Sequence, residues 1–180
     1  MRKLLAHALL ILCLTSATAW GAELSSQQLK ALYLFNFAKF TKWPKSKPKP
    51  SAPGIIIGIV GKIDFSEMIP LIDGKKVGQK SVTVKVFNTL DESLDQCHIL
   101  FIGELEEGLS DVVEKLTGKA VLSVSEMKNF ARRGGMVEMY LQENILGKQR
   151  LVFDINLSSL RKERLTMNSR VLKLANKRIR

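Results

Sequence analysis

Apolar residues recur with two different periods along this chain, and each change of period marks a change from helix to strand. Over 27–42, Leu29, Leu32, Tyr33, Phe37 and Phe40 recur at helical spacing, and Ser25 is placed to cap the helix they define. Leu34, Phe35 and Ala38 carry the apolar surface nearly round the cylinder. A helix of that kind must be covered, by a core or by a partner. Asn36, beside the main stripe, needs a hydrogen-bond partner if it is buried. Next, 54–61 (GIIIGIVG) is a continuous apolar run of strand length, the pattern of a strand buried on both faces. Asp64 is placed to cap a helix carrying Phe65, Met68 and Ile69. An alternating strand follows over 81–87, then another apolar strand over 98–103. Leu109, Val112, Val113 and Leu116 form one face of a helix that stops at Gly118. A short strand over 120–124 leads to Ser125, read as the cap of a helix reaching about residue 131. Strands over 136–140 and 151–156 flank a polar turn over 142–149. The chain closes with a short helix over 157–162, a strand fragment at 165–167, and a basic helix capped by Asn168 or Ser169.

Strands alternating with helices predict an α/β domain with a mostly parallel sheet between two helical layers, and the late strand pair predicts an antiparallel hairpin at its edge. The start of the chain reads as an export signal. Arg2 and Lys3 precede an apolar run over 4–14, and Ala17-Thr18-Ala19 fits small-x-small cleavage after Ala19. That run is too short to span a bilayer. The expectation is a leader over 1–19 and a single periplasmic domain over 20–180, peripheral to the inner membrane at most. The segment PKSKPKPSAP over 44–53 reads as an extended surface loop within that domain.

Removal of the leader takes away Cys13 and His7 and leaves one cysteine, Cys97, and one histidine, His98. No internal disulfide is then open to Cys97, and no ordinary zinc site can be assembled. Cys97 and His98 are neighbours at the start of a strand, where side chains diverge, so they make a poor nucleophile-base pair. Ser125-Glu126-Met127-Lys128 matches S-x-x-K, but the S-D-N and K-T-G companions of that acylation motif are missing. Gly54, Gly58 and Gly61 form no dinucleotide fingerprint, and Glu104, Glu106 and Glu107 read as a solvated helix start. No catalytic residue, metal or cofactor is expected.

Two features remain. In Arg132-Arg133-Gly134-Gly135 the glycines can turn backbone amides toward a ligand, and the arginines can fork onto a phosphate or carboxylate; the same residues also suit a plain tight turn. The formal net charge is +11. An exported protein rarely meets nucleic acid, so the charge points to anionic headgroups, an acidic partner, or simply a solvated basic face.

The segment 29–44, LKALYLFNFAKFTKWP, resembles the opening signature of the YfiR-like periplasmic family. The likeness continues in order through IIIGIVG, CHILFIG, VLSVSEMKNFARRGGMVEM and FDINLSSLRKERLTMNSRVLKLA. It implies a compact Rossmann-like α/β fold and repression in place of catalysis. Such proteins bind the periplasmic sensory domain of an inner-membrane diguanylate cyclase (YfiN-like) and keep cyclic di-GMP, and so biofilm formation, low. Better-studied relatives carry cysteine pairs whose oxidation matters. With Cys97 alone, a bond between chains is the disulfide left, if the thiol is exposed. The expected form is a homodimer. Candidate contact residues are Phe37, Phe40 and Trp43 with the turn Arg132-Arg133, and Asn156 is either a contact or a local structural residue. The alternative is a receptor domain for a small anionic or aromatic ligand, held by the glycine-arginine turn and the aromatic helix.

Overall fold

The computed structural model describes residues 24–45 and 54–180. The expected leader and most of the proline-lysine loop lie outside the described residues. In chain order the elements are α1 (Ser26–Phe40), β1 (Thr41–Lys42), β2 (Ile55–Val60), α2 (Ile69–Ile72), β3 (Lys76–Val77), β4 (Lys80–Phe87), α3 (Leu90–Ser93), β5 (Ile99–Ile102), α4 (Leu109–Leu116), β6 (Leu122–Ser125), β7 (Val137–Glu143), β8 (Gln149–Asn156), α5 (Leu157–Lys162), β9 (Thr166–Met167), α6 (Ser169–Leu174) and β10 (Lys177–Ile179).

Eight strands form one sheet in the order β10-β8-β7-β6-β5-β2-β4-β3, and β1 pairs with β9 in a small second sheet. Strands β4, β2, β5, β6 and β7 are parallel; β7/β8 and β3/β4 are antiparallel hairpins. Every residue of β2 and β5 is buried. Because side chains alternate across a strand, Ile55, Ile57 and Ile59 enter one core and Ile56 and Val60 the other. The first core is closed by α1, α2, α5 and α6, the second by α3 and α4. The result is the three-layer α/β arrangement the pattern predicts. Gly58 points into the second core, where an added Cβ would lie 2.4 Å from Cys97 Sγ.

The differences from the sequence reading have local causes. Helix α1 starts on a full capping box: Gln28 N donates to Ser25 Oγ, and Ser25 N to Gln28 Oε1. It stops at Phe40 because Thr41 and Lys42 pair with Met167 and Thr166. Asp64 caps no helix. Its Oδ1 accepts from Ser66 N and Oγ in a local turn, and α2 begins later, at Ile69 followed by Pro70. The helix expected after Ser125 is a series of turns. Asn129 adopts φ 66°, and the Glu138 carboxylate accepts from Asn129 N and Ala131 N, which breaks the helical ladder. The basic C-terminal helix is short. After Leu174 the chain extends as β10 and adds in parallel to β8, so the β7/β8 hairpin is next to the edge and not at it.

One buried carboxylate ties the second half together. Glu163, just past α5, accepts from Gly118 N at 2.7 Å and Ala120 N at 3.0 Å. It thereby holds the loop into β6, where Ala120 sits at φ 49°. Glu163→Ala leaves two amides without their acceptor and is expected to cost about 1–3 kcal/mol. Urea unfolding checks this: the midpoint falls at constant slope, and Glu163→Gln, which keeps one acceptor oxygen, recovers part of the loss.

Candidate functional site

The residues singled out in the sequence do not converge. Phe37 is 0 % exposed and packs edge-on against Phe153 at 5.3 Å, so it has no surface to offer a partner. Phe40 and Trp43 are half-buried. The Trp43 indole N–H donates to His98 O at 2.9 Å and its ring meets the His98 ring edge-on, while His98 Nδ1 accepts from Ile56 N. Trp43 therefore clasps the end of α1 to the sheet. Asn156 has a local structural task. It donates from Nδ2 to Ala131 O at 2.7 Å and accepts from Ser159 N as the cap of α5.

The glycine-arginine turn is also built from within. Ser159 Oγ donates to Gly134 O, Arg133 N to Asn129 O, Gly134 N to Ala131 O, and Gly135 N to Phe130 O, so three of the turn's amides are engaged by backbone carbonyls. A Cβ on Gly135 would lie 2.2 Å from the Phe130 ring. Arg132 and Arg133 stand exposed on this framework. Arg133 borders a cavity of about 190 Å3 with Ser159, Lys162 and Glu163, below the usual size for a drug-like ligand. Ser125 is fully buried, donating to Ile102 O and accepting from Met127 N, which closes the acylation reading. Cys97 is 0 % exposed, so the condition for a bond between chains is not met.

In doubly wound sheets, ligands collect beyond the carboxyl ends of the strands where the order reverses. Here that place lies between β2 and β5, and backbone fills it. Lys62 N donates to Glu104 O at 2.8 Å, bridging the two chains that leave those strands. A Cβ on Gly61 would lie 2.8 Å from Glu104 O, and one on Gly103 2.9 Å from Lys62 O. Among the described residues no group of three His, Cys, Asp or Glu could hold a metal, and no helix is long and apolar enough to cross a membrane.

The surface that stands out lies at the N-terminal half of α1. Two adjoining cavities, about 770 and 580 Å3, share Leu29, Lys148, Gln149 and Leu151. Leu24 and Leu141 border the first; Tyr33, Arg150 and Leu174 border the second. Above this groove the β7/β8 hairpin ends in Ile145 and Leu146, which are 102 % and 84 % exposed. Leu24, Leu141 and Leu174 are exposed as well. Two exposed aliphatic neighbours at the hairpin tip, with three more exposed leucines bordering the groove, make this end of the molecule the candidate docking surface.

The YfiR/HmsC-like family model matches residues 27–176. The chain belongs to the YfiR/HmsC-like family. That family is one of periplasmic regulators linked to cyclic di-GMP signalling, and not of enzymes. The search of curated proteins returns no match. Among solved structures, a conserved domain protein from Vibrio cholerae matches with a TM-score of 0.54 at 10 % identity, covering 87 % of this chain and 61 % of that one. At that identity the likeness shows the α/β fold alone.

In this YfiR/HmsC-like chain the tip is preorganised. Asn144 Oδ1 accepts from both Leu146 N and Lys148 N, and Asn144 N donates to Lys148 O. Gly147 closes the turn at φ 74°. The far wall of the groove is fixed by a chain of polar contacts, in which Asn176 Nδ2 donates to Tyr140 OH and Tyr140 OH to Asp154 Oδ1. Burial is the main cause that holds the Tyr140 phenol above its usual range, so it stays a proton donor. The sequence reading took 142–149 as a polar turn and missed Ile145 and Leu146. The available signal was an Asn and a Gly bracketing two aliphatics, a combination that turn chemistry alone does not require. The double change Ile145→Ser and Leu146→Ser is expected to leave stability within about 0.5 kcal/mol, as for other surface positions. It should also lower the binding of an apolar dye such as ANS. A large fall in unfolding midpoint would show that the tip is instead packed.

Proposed function

We propose that this YfiR/HmsC-like domain is a periplasmic repressor that acts as a homodimer. It docks on the periplasmic sensory domain of an inner-membrane diguanylate cyclase (YfiN-like) and holds cyclic di-GMP synthesis low. The observation that carries this reading is the exposed Ile145–Leu146 tip, held by the Asn144 hydrogen bonds, at the end of the hairpin that borders the Leu29–Leu151 groove. A fully buried aliphatic side chain contributes about 1.5–3 kcal/mol, so a partner covering the tip gains affinity at two adjacent positions. The turn that presents them is already ordered, which lowers the entropy lost on binding. Lys148 and Arg150 border the groove and the chain is strongly basic, which favours an acidic partner surface and faster encounter. Repression follows if the domain binds the inactive state of the cyclase more tightly than the active one. A periplasmic signal then acts by weakening the complex.

Ile145→Asp with Leu146→Asp is expected to lower affinity for the purified sensory domain by at least about tenfold, some 1.4 kcal/mol, and to raise cellular cyclic di-GMP. Wild-type affinity of that variant, in calorimetry against the sensory domain, would remove the tip from the interface. Arg132→Ala with Arg133→Ala tests the exposed arginines of the turn. Weaker partner binding at an unchanged melting temperature keeps them in the contact surface, and unchanged affinity takes them out.

A further inference from the structure

A cavity of about 340 Å3 opens where α1 ends and α6 begins. It falls within the usual range for small-ligand sites. Lys39 and Phe40 from the last turn of α1, Lys42 from β1, and Thr166, Asn168 and Ser169 around β9 border it, with Met167 alongside. Its chemistry is one-sided, since no carboxylate is among these residues. Among the described residues neither lysine forms an ion pair, and Lys39 instead holds its ammonium 5.4 Å from the centre of the Phe40 ring.

The hydroxyls of Thr166 and Ser169 have no hydrogen-bond partner among the described residues, and Asn168 engages its carbonyl oxygen with Arg170 N, leaving its amide N–H groups for another acceptor. This contrasts with Ser123, Ser125 and Ser159, whose hydroxyls are all held by backbone. The cavity thus gathers two ammonium groups, two hydroxyls and an amide, all able to donate, beside the half-buried Phe40 ring and the buried Met167. The backbone around it is fixed by the β1/β9 pairing and by the bond from Asn168 N to Phe40 O at 2.9 Å.

We propose that this cavity binds a phosphate-bearing organic anion, with Lys39 and Lys42 on the phosphate and Phe40 and Met167 against its carbon skeleton. A planar carboxylate is best matched by the fork of a guanidinium, whereas lysine acts as a point charge suited to a tetrahedral phosphate approached from several sides. Two sources share this chemistry: a soluble phosphomonoester, and the headgroup of an anionic phospholipid at the membrane surface.

The test uses the purified protein labelled with 15N. One arm titrates sn-glycerol 3-phosphate and follows the amide signals of Lys42 and Ser169. The other measures flotation with phosphatidylglycerol vesicles against phosphatidylcholine vesicles. Saturable shifts in the first arm identify a soluble ligand, and flotation specific to phosphatidylglycerol identifies a headgroup. In either arm Lys39→Ala with Lys42→Ala is expected to weaken binding about tenfold or more at an unchanged melting temperature, both residues being exposed. Lys173→Ala with Lys177→Ala, which lie outside the cavity, is expected to leave binding intact. The proposal falls if neither arm shows binding, if the Lys39 and Lys42 variant binds like the wild type, or if both variants lose binding equally.

Discussion

The burial of β2 and β5 on both faces is the constraint from which the rest of the structure follows. Ten apolar or glycine positions in two adjacent strands leave no side of the central sheet open to water. Helices must therefore cover both faces, and the antiparallel strands are pushed to the flanks. The packing leaves little slack, as Gly58 shows: even one added carbon there would collide with the Cys97 thiol. A core filled this tightly transmits strain and resists new chemistry, so any functional surface has to lie at the ends of the elements and not between the layers.

At the sheet's reversal point that reasoning reaches a definite outcome. Two glycines let the chains after β2 and β5 approach closely enough for Lys62 to bond Glu104 across the opening. The crevice that dinucleotide-binding doubly wound sheets use for phosphates is bridged here by the protein's own backbone. The fold is retained while its usual ligand position is closed, and the fold by itself implies no function. What the domain offers in its place is a groove at one end of α1 and a hairpin that carries two aliphatics into solvent.

Much of this was legible in the sequence. The uninterrupted run IIIGIV and the long apolar stretch from Leu29 to Phe40 behind its Ser25 cap announced the central strand and the longest helix, because length and capping separate the two. The boundaries that failed were decided by distant partners. Thr41 and Lys42 became a strand through residues more than a hundred positions away, and the helix after Ser125 was broken by the carboxylate of Glu138. Asn156, read as either contact or scaffold, joins Ala131 to α5, a task visible only once those segments are side by side. Aromatic character was a poor guide to exposure, since Phe37, a candidate by residue type and motif position, is fully buried in the core.

That last case carries a wider point about docking surfaces. A residue type enriched at interfaces is enriched in cores for the same reason, its large apolar area, so type alone cannot separate the two. Position in a turn can. Ile145 and Leu146 lie in the turn between β7 and β8, where Asn144 Oδ1 accepts from Leu146 N and Lys148 N, and both side chains stand in solvent. An aliphatic pair placed where the fold does not bury it is available to be covered by a partner. In a member of a family of regulators, that exposed pair is the place from which the proposed docking is argued.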